Sequence, residues 1–325
     1  MIAETLQPAE ASSPAEERGS GRDDVRLLVA WRSSGELLHA AFAELPELLT
    51  PGDLLVVNTS STLPAALPAG AGLRIHLSSP APPNGWLVEL RAGDDRFTGG
   101  DEGDVLALPG DASATLLQRD GRLWLAELDL PSPVPHYLAR HGEPIRYRHT
   151  ARDWPLESYQ TVYANAPGSA EMPSAGRAFT PELITQLVAA GIDVAPLVLH
   201  TGVSSLEAGE RPHAEWLSVP RFTAERARLA RSLGGRVIAV GTTVVRALES
   251  ADGDPAEGWT DLVIDPDTRI EEIDGLLSGF HDHDSSHLQM LEAIAGRDLL
   301  ERSYDEATRA GYLRHEFGDL HLILP

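Results

Sequence analysis

The sequence contains no cysteine among its 325 residues. Disulfide bonds, thiolate catalysis and cysteine-ligated zinc or iron–sulfur sites are therefore excluded, and the composition fits a protein of the reducing cytoplasm. Long apolar runs are also lacking, so neither a secretory signal nor a bilayer-spanning segment is predicted, and no membrane partner is expected. The sequence has no P-loop, no dinucleotide-binding glycine pattern and no Gly-x-Ser-x-Gly nucleophile turn, which argues against those classes of enzyme.

Positive charge is scarce. The chain has 26 Lys and Arg against 49 Asp and Glu, which gives a formal net charge of -23 at pH 7. A polyanionic partner such as a nucleic acid therefore meets net repulsion unless a local basic face overcomes it. The segment from Arg140 to Arg152 combines several cations with aromatic side chains and is a candidate for such a face; a solvated connector of mixed charge explains it equally well.

The pattern of apolar residues changes along the chain and predicts its domains. Residues 1–22, rich in Ala, Glu, Pro and Ser, predict a flexible tail. Residues 23–67 and 132–325 alternate apolar strands with helices and predict an α/β domain. Residues 68–131 contain short alternating strands with turn signals at Asn84-Gly85 and Asp120-Gly121, typical of a small antiparallel β-barrel. The predicted fold class is α/β, with this barrel inserted into the larger domain.

Several elements of the α/β domain carry boundary signals. Thr180 as N-cap, Pro181 at the first helical position and a terminal Gly191 predict a helix. Further elements are predicted as strands at residues 54–57 and from Asp261, and as helices at about residues 223–233 and after Ser285.

The most informative segment is RVIAVGTTVVRALES, residues 236–250, where an apolar strand runs through Gly241 directly into a helix. One of the two threonines that follow the glycine is predicted to cap this helix. The first turn of a helix has unpaired N–H groups and positive dipole character, yet this one carries Arg246. A carboxylate or phosphate held by the N–H groups and the guanidinium explains the cation. The alternative is an ion pair of Arg246 with Glu249 or with a distant acid.

Six motifs occur along the chain in a fixed order. They are YQTVYA (159–164), PSAGRAFT (173–180), LHTG (199–202), HAEW (213–216), GTTVVRALES (241–250) and GFHDHDSSHLQML (279–291). In this order and rough spacing they resemble the S-adenosylmethionine:tRNA ribosyltransferase-isomerases of queuosine biosynthesis, over most of the chain after about Asp23. The resemblance implies a barrel-like α/β domain, which holds the S-adenosylmethionine (AdoMet) site, and a smaller inserted β-barrel.

The resemblance also implies a reaction. Members of that family transfer the ribosyl part of AdoMet to the aminomethyl group of a 7-deazaguanine base in tRNA and rearrange it to an epoxycyclopentanediol, releasing adenine and methionine. AdoMet is a co-substrate, and no metal is expected. Such chemistry needs a base for the acidic proton beside the sulfonium, a donor for departing adenine, a cationic clamp for the methionine carboxylate and polar groups for the ribose.

Candidate residues for these roles lie in the six motifs. A neutral imidazole can take a proton near pH 7 and return it. The predicted catalytic residues are His200, His213, Glu215 and His281. The predicted substrate-binding residues are Tyr159, Gln160, Tyr163, Ser174, Gly176, Gly202, Gly241, Thr242, Thr243, Arg246, Phe280 and Ser285.

Within this set, the two threonines and Arg246 are assigned to the methionine carboxylate or a phosphate. The two tyrosines and Gln160 are assigned to the sugar or to a stacked base, with simple packing as the alternative. Gly176 and Gly202 are predicted to let the backbone approach the ligand closely. A hydrogen-bonded structural role is the alternative for each single histidine.

The sequence departs from the family pattern at several positions that bear on the acceptor. Residues 58–61, NTSS, replace the family's Asn-Asp-Thr-Arg, and Ala66 replaces an arginine. Ala178, preceded by Arg177, replaces a histidine. Residues 280–285, FHDHDS, replace Phe-His-Leu-Pro-Arg-Ser, so a cation becomes an anion. The loss of cations in so acidic a chain weakens the prediction of a tRNA partner more than that of AdoMet.

The segment HDHDSSH, residues 281–287, contains nitrogen and oxygen donors that suit a metal ion. His283 and His287 would share a helical face if the following helix began that early. Solvated charges in a loop are the alternative, and because the resemblance implies no metal, none is expected.

Three interpretations follow. The first is an AdoMet-consuming ribosyltransferase-isomerase that acts on deazaguanine-modified tRNA. The second is a diverged member that uses AdoMet with a small-molecule acceptor or cleaves AdoMet without tRNA. The third is a binding protein that retains only the scaffold. The sequence identifies neither the acceptor, nor the oligomeric state, nor which histidine acts as base.

Overall fold

The computed structural model describes residues 7–203, 213–282 and 285–325, which form two large β-sheets flanked by helices. The strands are, in chain order, β1 (Ala9–Glu10), β2 (Arg26–Trp31), β3 (Leu37–Ala41), β4 (Leu54–Asn58), β5 (Ser60–Thr62), β6 (Ala66–Pro68), β7 (Leu73–Ala81), β8 (Gly85–Ala92), β9 (Asp95–Arg96), β10 (Val105–Leu108), β11 (Ala112–Asp120), β12 (Leu123–Asp129), β13 (Ala166–Ser169), β14 (Asp193–Leu199), β15 (Glu215–Val219), β16 (Val237–Val240), β17 (Ala256–Thr260), β18 (Gly275–Gly279), β19 (Leu313–Arg314) and β20 (Leu320–Leu324). The α-helices are α1 (Leu45–Leu48), α2 (Val134–His141), α3 (Pro181–Ala189), α4 (Arg221–Ser232), α5 (Thr242–Ala251), α6 (Ser286–Ala295) and α7 (Arg297–Arg309). Short 3-10 helices occupy Ala15–Arg18, Phe42–Glu44, Leu156–Tyr159 and Ser174–Gly176.

The larger sheet has nine strands in the order β17-β15-β14-β4-β16-β18-β20-β2-β3. Its central strands β14, β4, β16 and β18 run parallel to one another. All residues of β4, β16 and β18 are buried, as expected for parallel strands that are covered on both faces. The carboxyl ends of the parallel strands lie at one edge of the sheet, where α/β proteins usually bind ligands.

Alternate residues of the central strands enter two different cores. Leu54 and Val56 of β4 belong to the core that includes side chains of α4 to α7. Leu55 and Val57 belong to the core on the other face, together with side chains of α1 and α3. A shift of the strand by one residue would exchange these two sets, so the packing fixes the register.

The smaller sheet has seven strands in the order β10-β11-β12-β8-β7-β6, with β9 beside β8. Neighbouring strands are antiparallel throughout. The turn signals of the sequence are confirmed, because Asn84-Gly85 lies between β7 and β8 and Asp120-Gly121 lies between β11 and β12. This sheet has its own apolar core, which includes Ile75, Val88 and Trp124.

The α/β class is thus confirmed, whereas the strand pairings do not confirm a barrel. Among the described residues, the larger sheet runs from an edge at β17 to an edge at β3, and the smaller from β10 to β6, without a pairing that joins the two edges of either sheet. Residues 7–203, 213–282 and 285–325 contain no helix that is long and apolar enough to cross a membrane.

The N-terminal segment corrects the prediction of a flexible tail. From residue 7 on it contacts the rest of the protein: β1 pairs with β19, and Ala15 is fully buried. Glu16 accepts hydrogen bonds from Arg177, at 2.9 and 3.0 Å, and from Arg22, at 3.1 Å. The composition did not reveal these contacts because a two-residue strand and long-range ion pairs leave no periodic pattern.

The strand predicted from Asp261 is also corrected. The strand of this region is β17, which ends at Thr260, and the following residues have no regular structure. Ile264 packs in the core from this irregular segment, whereas Val263 is exposed. Its apolar side chains therefore serve packing rather than strand pairing.

Candidate active site

A cavity of about 530 Å³ lies between the two sheets. One wall consists of the residues that follow the carboxyl ends of β14, β16 and β18, and another includes side chains of β7 and β8. Residues 145–149, 171–175, 213–215, 262–264 and 315–316 also contribute to the lining. The volume is within the range of sites for small molecules and cofactors, roughly 300–1,000 Å³.

The cavity brings most of the predicted site residues together. Its lining includes His213, Glu215, His281, Ser174, Gly202, Gly241, Thr242, Thr243, Arg246, Phe280 and Ser285. Five predicted residues are not in its lining: His200, Tyr159, Gln160, Tyr163 and Gly176.

The guanidinium of Arg246 is held by two partners. Its Nε donates to the carbonyl of Leu262 at 3.0 Å, and its Nη1 donates to Oε2 of Glu215. Of the two alternative partners for Arg246, the distant acid is thus correct for Nη1. Glu249 does not pair with Arg246 and instead accepts hydrogen bonds from the backbone N–H groups of residues 271 and 272. Nη2 is buried and has no hydrogen-bond partner among the described residues. Since an unsatisfied buried donor costs about 1–3 kcal/mol, this nitrogen favours an acceptor in the cavity.

The N-terminus of α5 opens on the same cavity. Gly241 has a φ of 96°, a conformation that favours glycine, and it is itself the N-cap residue. The predicted threonine cap is corrected, because no side chain caps this helix and Thr242 is already helical. Thr243 Oγ1 accepts a hydrogen bond from Asn58 at 3.2 Å. The first N–H groups of α5 thus combine with the nearby guanidinium to favour an anion.

Glu215 joins the Arg246 side chain to the loop after β14. Its Oε1 accepts a hydrogen bond from Gly202 N at 2.9 Å, while Oε2 accepts from Arg246. A Cβ on Gly202 would lie 2.6 Å from Ser78 Oγ of β7, and the next amide, Val203 N, donates to that oxygen at 3.0 Å. The close approach at Gly202 is therefore to the smaller sheet, although the residue also lines the cavity.

Two histidines of the last motif stack in the cavity wall. The rings of His281 and His287 lie 4.7 Å apart, and His281 Nε2 is 2.9 Å from Ser278 Oγ. Burial, and next the neighbouring imidazoles, lower the pKa of His281 well below its usual value. Burial and then Arg246 lower the pKa of His287 to about 4. Both rings are therefore neutral at pH 7. Two other residues of the HDHDSSH segment, His283 and Asp284, lie outside the described residues.

The remaining predicted residues of the lining have individual partners. His213 Nδ1 lies 3.5 Å from Asp120 Oδ2. Phe280 is buried and stacks on His321, with 5.4 Å between the ring centroids. Ser285 caps α6 by accepting a hydrogen bond from Leu288 N, which confirms the helix predicted after it. Ser174 lies in a 3-10 helix.

His200 follows β14 directly, as predicted, but it does not line the cavity. Its Nδ1 lies 2.7 Å from Ser60 Oγ, and its ring stacks on Trp216 with 5.3 Å between centroids. A Cβ on Gly168 would lie 2.4 Å from the ring. These contacts favour the structural role that was the alternative for His200, and its catalytic role stays a prediction.

The YQTVYA motif also packs away from the cavity. Tyr159 is buried against Phe317, with 5.5 Å between ring centroids. Gln160 forms two hydrogen bonds with the backbone of Thr62, at 3.0 and 2.8 Å, and so joins this segment to β5. These contacts favour packing, the alternative for these side chains, and their assignment to the sugar stays a prediction.

Tyr163 and Gly176 form one packing contact. Tyr163 meets Phe179 edge to face at 5.9 Å, and a Cβ on Gly176 would lie 2.0 Å from the Tyr163 hydroxyl. The contact with the tyrosine is sufficient to explain the glycine, and the assignment of both residues to the ligand stays a prediction.

Sequence reasoning missed the side of the cavity that the smaller sheet provides. Glu89 of β8 is buried and lies 3.3 Å from Arg91 and 3.4 Å from Arg96. Burial, and next the charges of Arg91 and Arg74, lower the pKa of His76 to about 3. The position of Glu89 between apolar residues of the strand WLVEL, residues 86–90, was the one signal in the sequence that could have indicated this wall. The cluster of His149, His315 and Glu316, which was also missed, involves residues far apart in sequence and gave none.

Comparison with known proteins places the chain in a family. The model of the queuosine biosynthesis protein family matches residues 6–323. The S-adenosylmethionine:tRNA ribosyltransferase-isomerase of Thermotoga maritima is 35% identical over 325 residues, 95% of this chain and 96% of that protein. The protein of the same name from Acaryochloris marina is 36% identical over 330 residues, 94% of this chain and 88% of that protein.

A solved structure agrees with these relatives. The crystal structure of S-adenosylmethionine tRNA ribosyltransferase from Thermotoga maritima is 31% identical, covers 99% of both chains and superposes with a TM-score of 0.57. The chain therefore belongs to the queuosine biosynthesis protein family, as the six ordered motifs predicted.

Proposed function

We propose that this protein is an AdoMet-dependent ribosyltransferase-isomerase. It transfers the ribosyl part of AdoMet to the aminomethyl group of a 7-deazaguanine base in tRNA and isomerises it, releasing adenine and methionine. Relatives that match nearly the whole chain are named for AdoMet, tRNA and this reaction type. Within the protein, the proposal depends chiefly on Nη2 of Arg246, which has no partner in residues 7–203, 213–282 and 285–325, and on the start of α5, which lines the same cavity of about 530 Å³.

The methionine carboxylate of AdoMet is the anion that we assign to this position. Arg246 supplies a charge-assisted donor, and the N-terminus of α5 supplies backbone N–H groups and the positive end of the helix dipole. Glu215 fixes the guanidinium from the opposite side and leaves Nη2 for the ligand. Both partners of the ion pair are nearly buried, which strengthens an interaction with an anion.

We assign proton removal to His281. Its imidazole lines the cavity, is neutral at pH 7 because its pKa is lowered, and is oriented by Ser278. A low pKa makes the imidazole a weak base, so the acidity that the sulfonium confers on the adjacent C–H is needed for the step. Glu215 has both carboxylate oxygens engaged and is assigned a positioning role.

The tRNA acceptor was doubtful on charge alone. The curated relatives are named for tRNA, and they do not favour the small-molecule alternative. Besides Arg246, four arginines line the cavity and provide cations that could contact phosphates: Arg91, Arg96, Arg146 and Arg148. Two of them belong to the segment from Arg140 to Arg152, so we propose this segment as part of the tRNA-binding face.

The two sheets support a finer division, in which residues 68–131 form a small β-barrel domain inserted between residues 23–67 and 132–325 of a barrel-like domain. The cavity between them then serves as an interdomain site, with AdoMet on the side of the larger sheet. We further propose the cytoplasm as the place of action, since the acceptor is tRNA.

The test measures adenine and methionine by chromatography after incubation of the protein with AdoMet. One sample contains tRNA with the aminomethyl-deazaguanine base, a second contains the same tRNA with guanine, and a third contains no tRNA. Release that requires the modified base supports the proposal. Equal release in all three samples would support AdoMet cleavage without tRNA, and binding without release would overturn a catalytic role.

A further inference from the structure

His149, His315 and Glu316 converge in the cavity wall. One nitrogen or oxygen atom from each lies within 4.8 Å of the other two. His149 Nε2 is 2.8 Å from Glu316 Oε2, and the rings of the two histidines are stacked with 4.2 Å between centroids. The side chains are only 11%, 15% and 18% exposed, so their polar atoms have limited access to bulk water.

Ordinary hydrogen bonding does not account for this cluster. His149 Nε2 and Glu316 Oε2 are both buried, and neither makes a hydrogen bond of acceptable geometry with the described residues. His315 has a φ of 74°, a left-handed backbone conformation that is uncommon for a residue with a side chain. The fold thus maintains a strained backbone next to two unsatisfied polar atoms, a combination typical of a ligand site.

We propose that His149, His315 and Glu316 bind a divalent transition-metal ion of the zinc class, with an open coordination position toward the cavity. Two imidazoles and one carboxylate are a donor set that zinc and its neighbours accept, and three protein ligands are the number found in open sites. Metal–ligand bonds of 2.0–2.1 Å in tetrahedral geometry place the ligand atoms roughly 3.4 Å from one another. Since the three ligand atoms already lie within 4.8 Å of one another, side-chain movements of about 1 Å would complete the site.

The surrounding charges are compatible with a cation. The carboxylates of Glu10 and Asp282 each lie 3.8 Å from His315 Nε2. Arg314 opposes a cation, since its Nε lies 3.0 Å from the same nitrogen. The guanidinium of Arg314 also pairs with Asp282 and Glu10, each at 2.9 Å. These two ion pairs remain when His315 binds a metal ion and no longer accepts the hydrogen bond from Arg314.

This site differs from the HDHDSSH segment and does not depend on the proposed reaction, because metal binding is measured without AdoMet or tRNA. The experiment uses the full chain without a polyhistidine tag, treated with EDTA and desalted. Co²⁺ is titrated while the visible absorption of its d–d bands is recorded, and Zn²⁺ is then added as competitor. We expect one Co²⁺ per chain, displaced by Zn²⁺.

Three variants locate the ion. His149→Gln and the nearly isosteric Glu316→Gln are expected to weaken Co²⁺ binding at least tenfold while circular dichroism shows the native fold. His39→Gln is the matched control, because His39 is a histidine paired with a carboxylate, Glu306, at 3.1 Å outside the cavity lining. No spectral change in the wild-type protein would overturn the proposal. Equal binding by the wild-type protein and both cavity variants would also overturn it, because the ion would then bind elsewhere.

Discussion

The carboxylate of Glu215 pairs with Nη1 of Arg246 across 31 residues of sequence, and Nη2 of the same guanidinium is buried without a partner in the described part of the chain. The two side chains are 13% and 12% exposed. An arginine that is fixed on one side and unsatisfied on the other is preorganised for an anion, because little side-chain freedom remains to be lost when the anion binds.

Replacement of Arg246 tests this assignment directly. Arg246→Ala is expected to weaken AdoMet binding by roughly 10- to 100-fold, since a charged hydrogen bond contributes about 1.5–3 kcal/mol. Isothermal titration calorimetry with AdoMet measures the change. Arg246→Lys keeps the charge but not the planar guanidinium, so its affinity for AdoMet should lie between those of the wild-type protein and Arg246→Ala. Unchanged affinity in Arg246→Ala would remove this residue from the AdoMet site.

Glu215 should act through Arg246 rather than on the substrate. Glu215→Gln keeps a hydrogen-bond acceptor for Gly202 N but removes the charge that orients the guanidinium. We expect the KM for AdoMet to rise about tenfold while kcat changes by less than threefold. Glu225→Gln is the control, because its partner Arg221 is 80% exposed and such surface pairs contribute little. A large loss of kcat with unchanged KM would instead indicate a direct chemical role for Glu215.

His281 is the residue whose loss should affect the chemical step. His281→Asn is expected to lower kcat by roughly 10²- to 10⁴-fold, the usual contribution of a general base, with AdoMet affinity within a few-fold of wild type. Single-turnover release of adenine measures this step. The control is His287→Asn, which changes the stacked neighbour and should reduce the rate far less. If His281→Asn retains the wild-type rate, another group removes the proton.

His200 gives the opposite prediction. Its hydrogen bond to Ser60 and its stacking on Trp216 place it outside the cavity lining. His200→Gln should therefore keep kcat/KM within a few-fold of wild type and lower the free energy of unfolding by about 1 kcal/mol. Urea denaturation and the adenine-release assay measure the two effects. A thousandfold loss of activity in a stably folded variant would return His200 to the list of catalytic residues.

Local sequence signals predicted those parts of the site that are formed by neighbours in the chain. The strand before Gly241 and the helix after it were predictable because apolar residues, a glycine and helix-forming residues follow one another directly. The cap formed by Thr180 was predictable for the same reason, and its hydroxyl accepts the hydrogen bond from Leu183 N.

Long-range packing determined what the sequence did not predict. The partner of Arg246 is Glu215, from a different element, and nothing in the spacing of the two residues indicates the contact. The wall formed by β7 and β8 likewise depends on how the smaller sheet docks against Gly202 and Val203. The YQTVYA motif indicated the family correctly, although Tyr159 and Gln160 make packing contacts. A shared motif shows common ancestry, but it does not show which of its residues contact the ligand and which stabilise the fold.

The stability of the protein in acid should depend on Asp53. Burial raises the pKa of this carboxyl, but hydrogen bonds from Arg236 and from the backbone N–H groups of Thr50 and Arg236 outweigh it and lower the pKa below 3.8. The folded state then binds fewer protons than the unfolded state, so this stabilisation is present above pH 3.8 and is lost as the pH falls through the lowered pKa. Asp53→Asn should therefore reduce the free energy of unfolding at pH 7 and flatten its decline in the acid range. Urea denaturation at a series of pH values measures both effects, and parallel curves for the two proteins would show that Asp53 is not a source of the acid sensitivity.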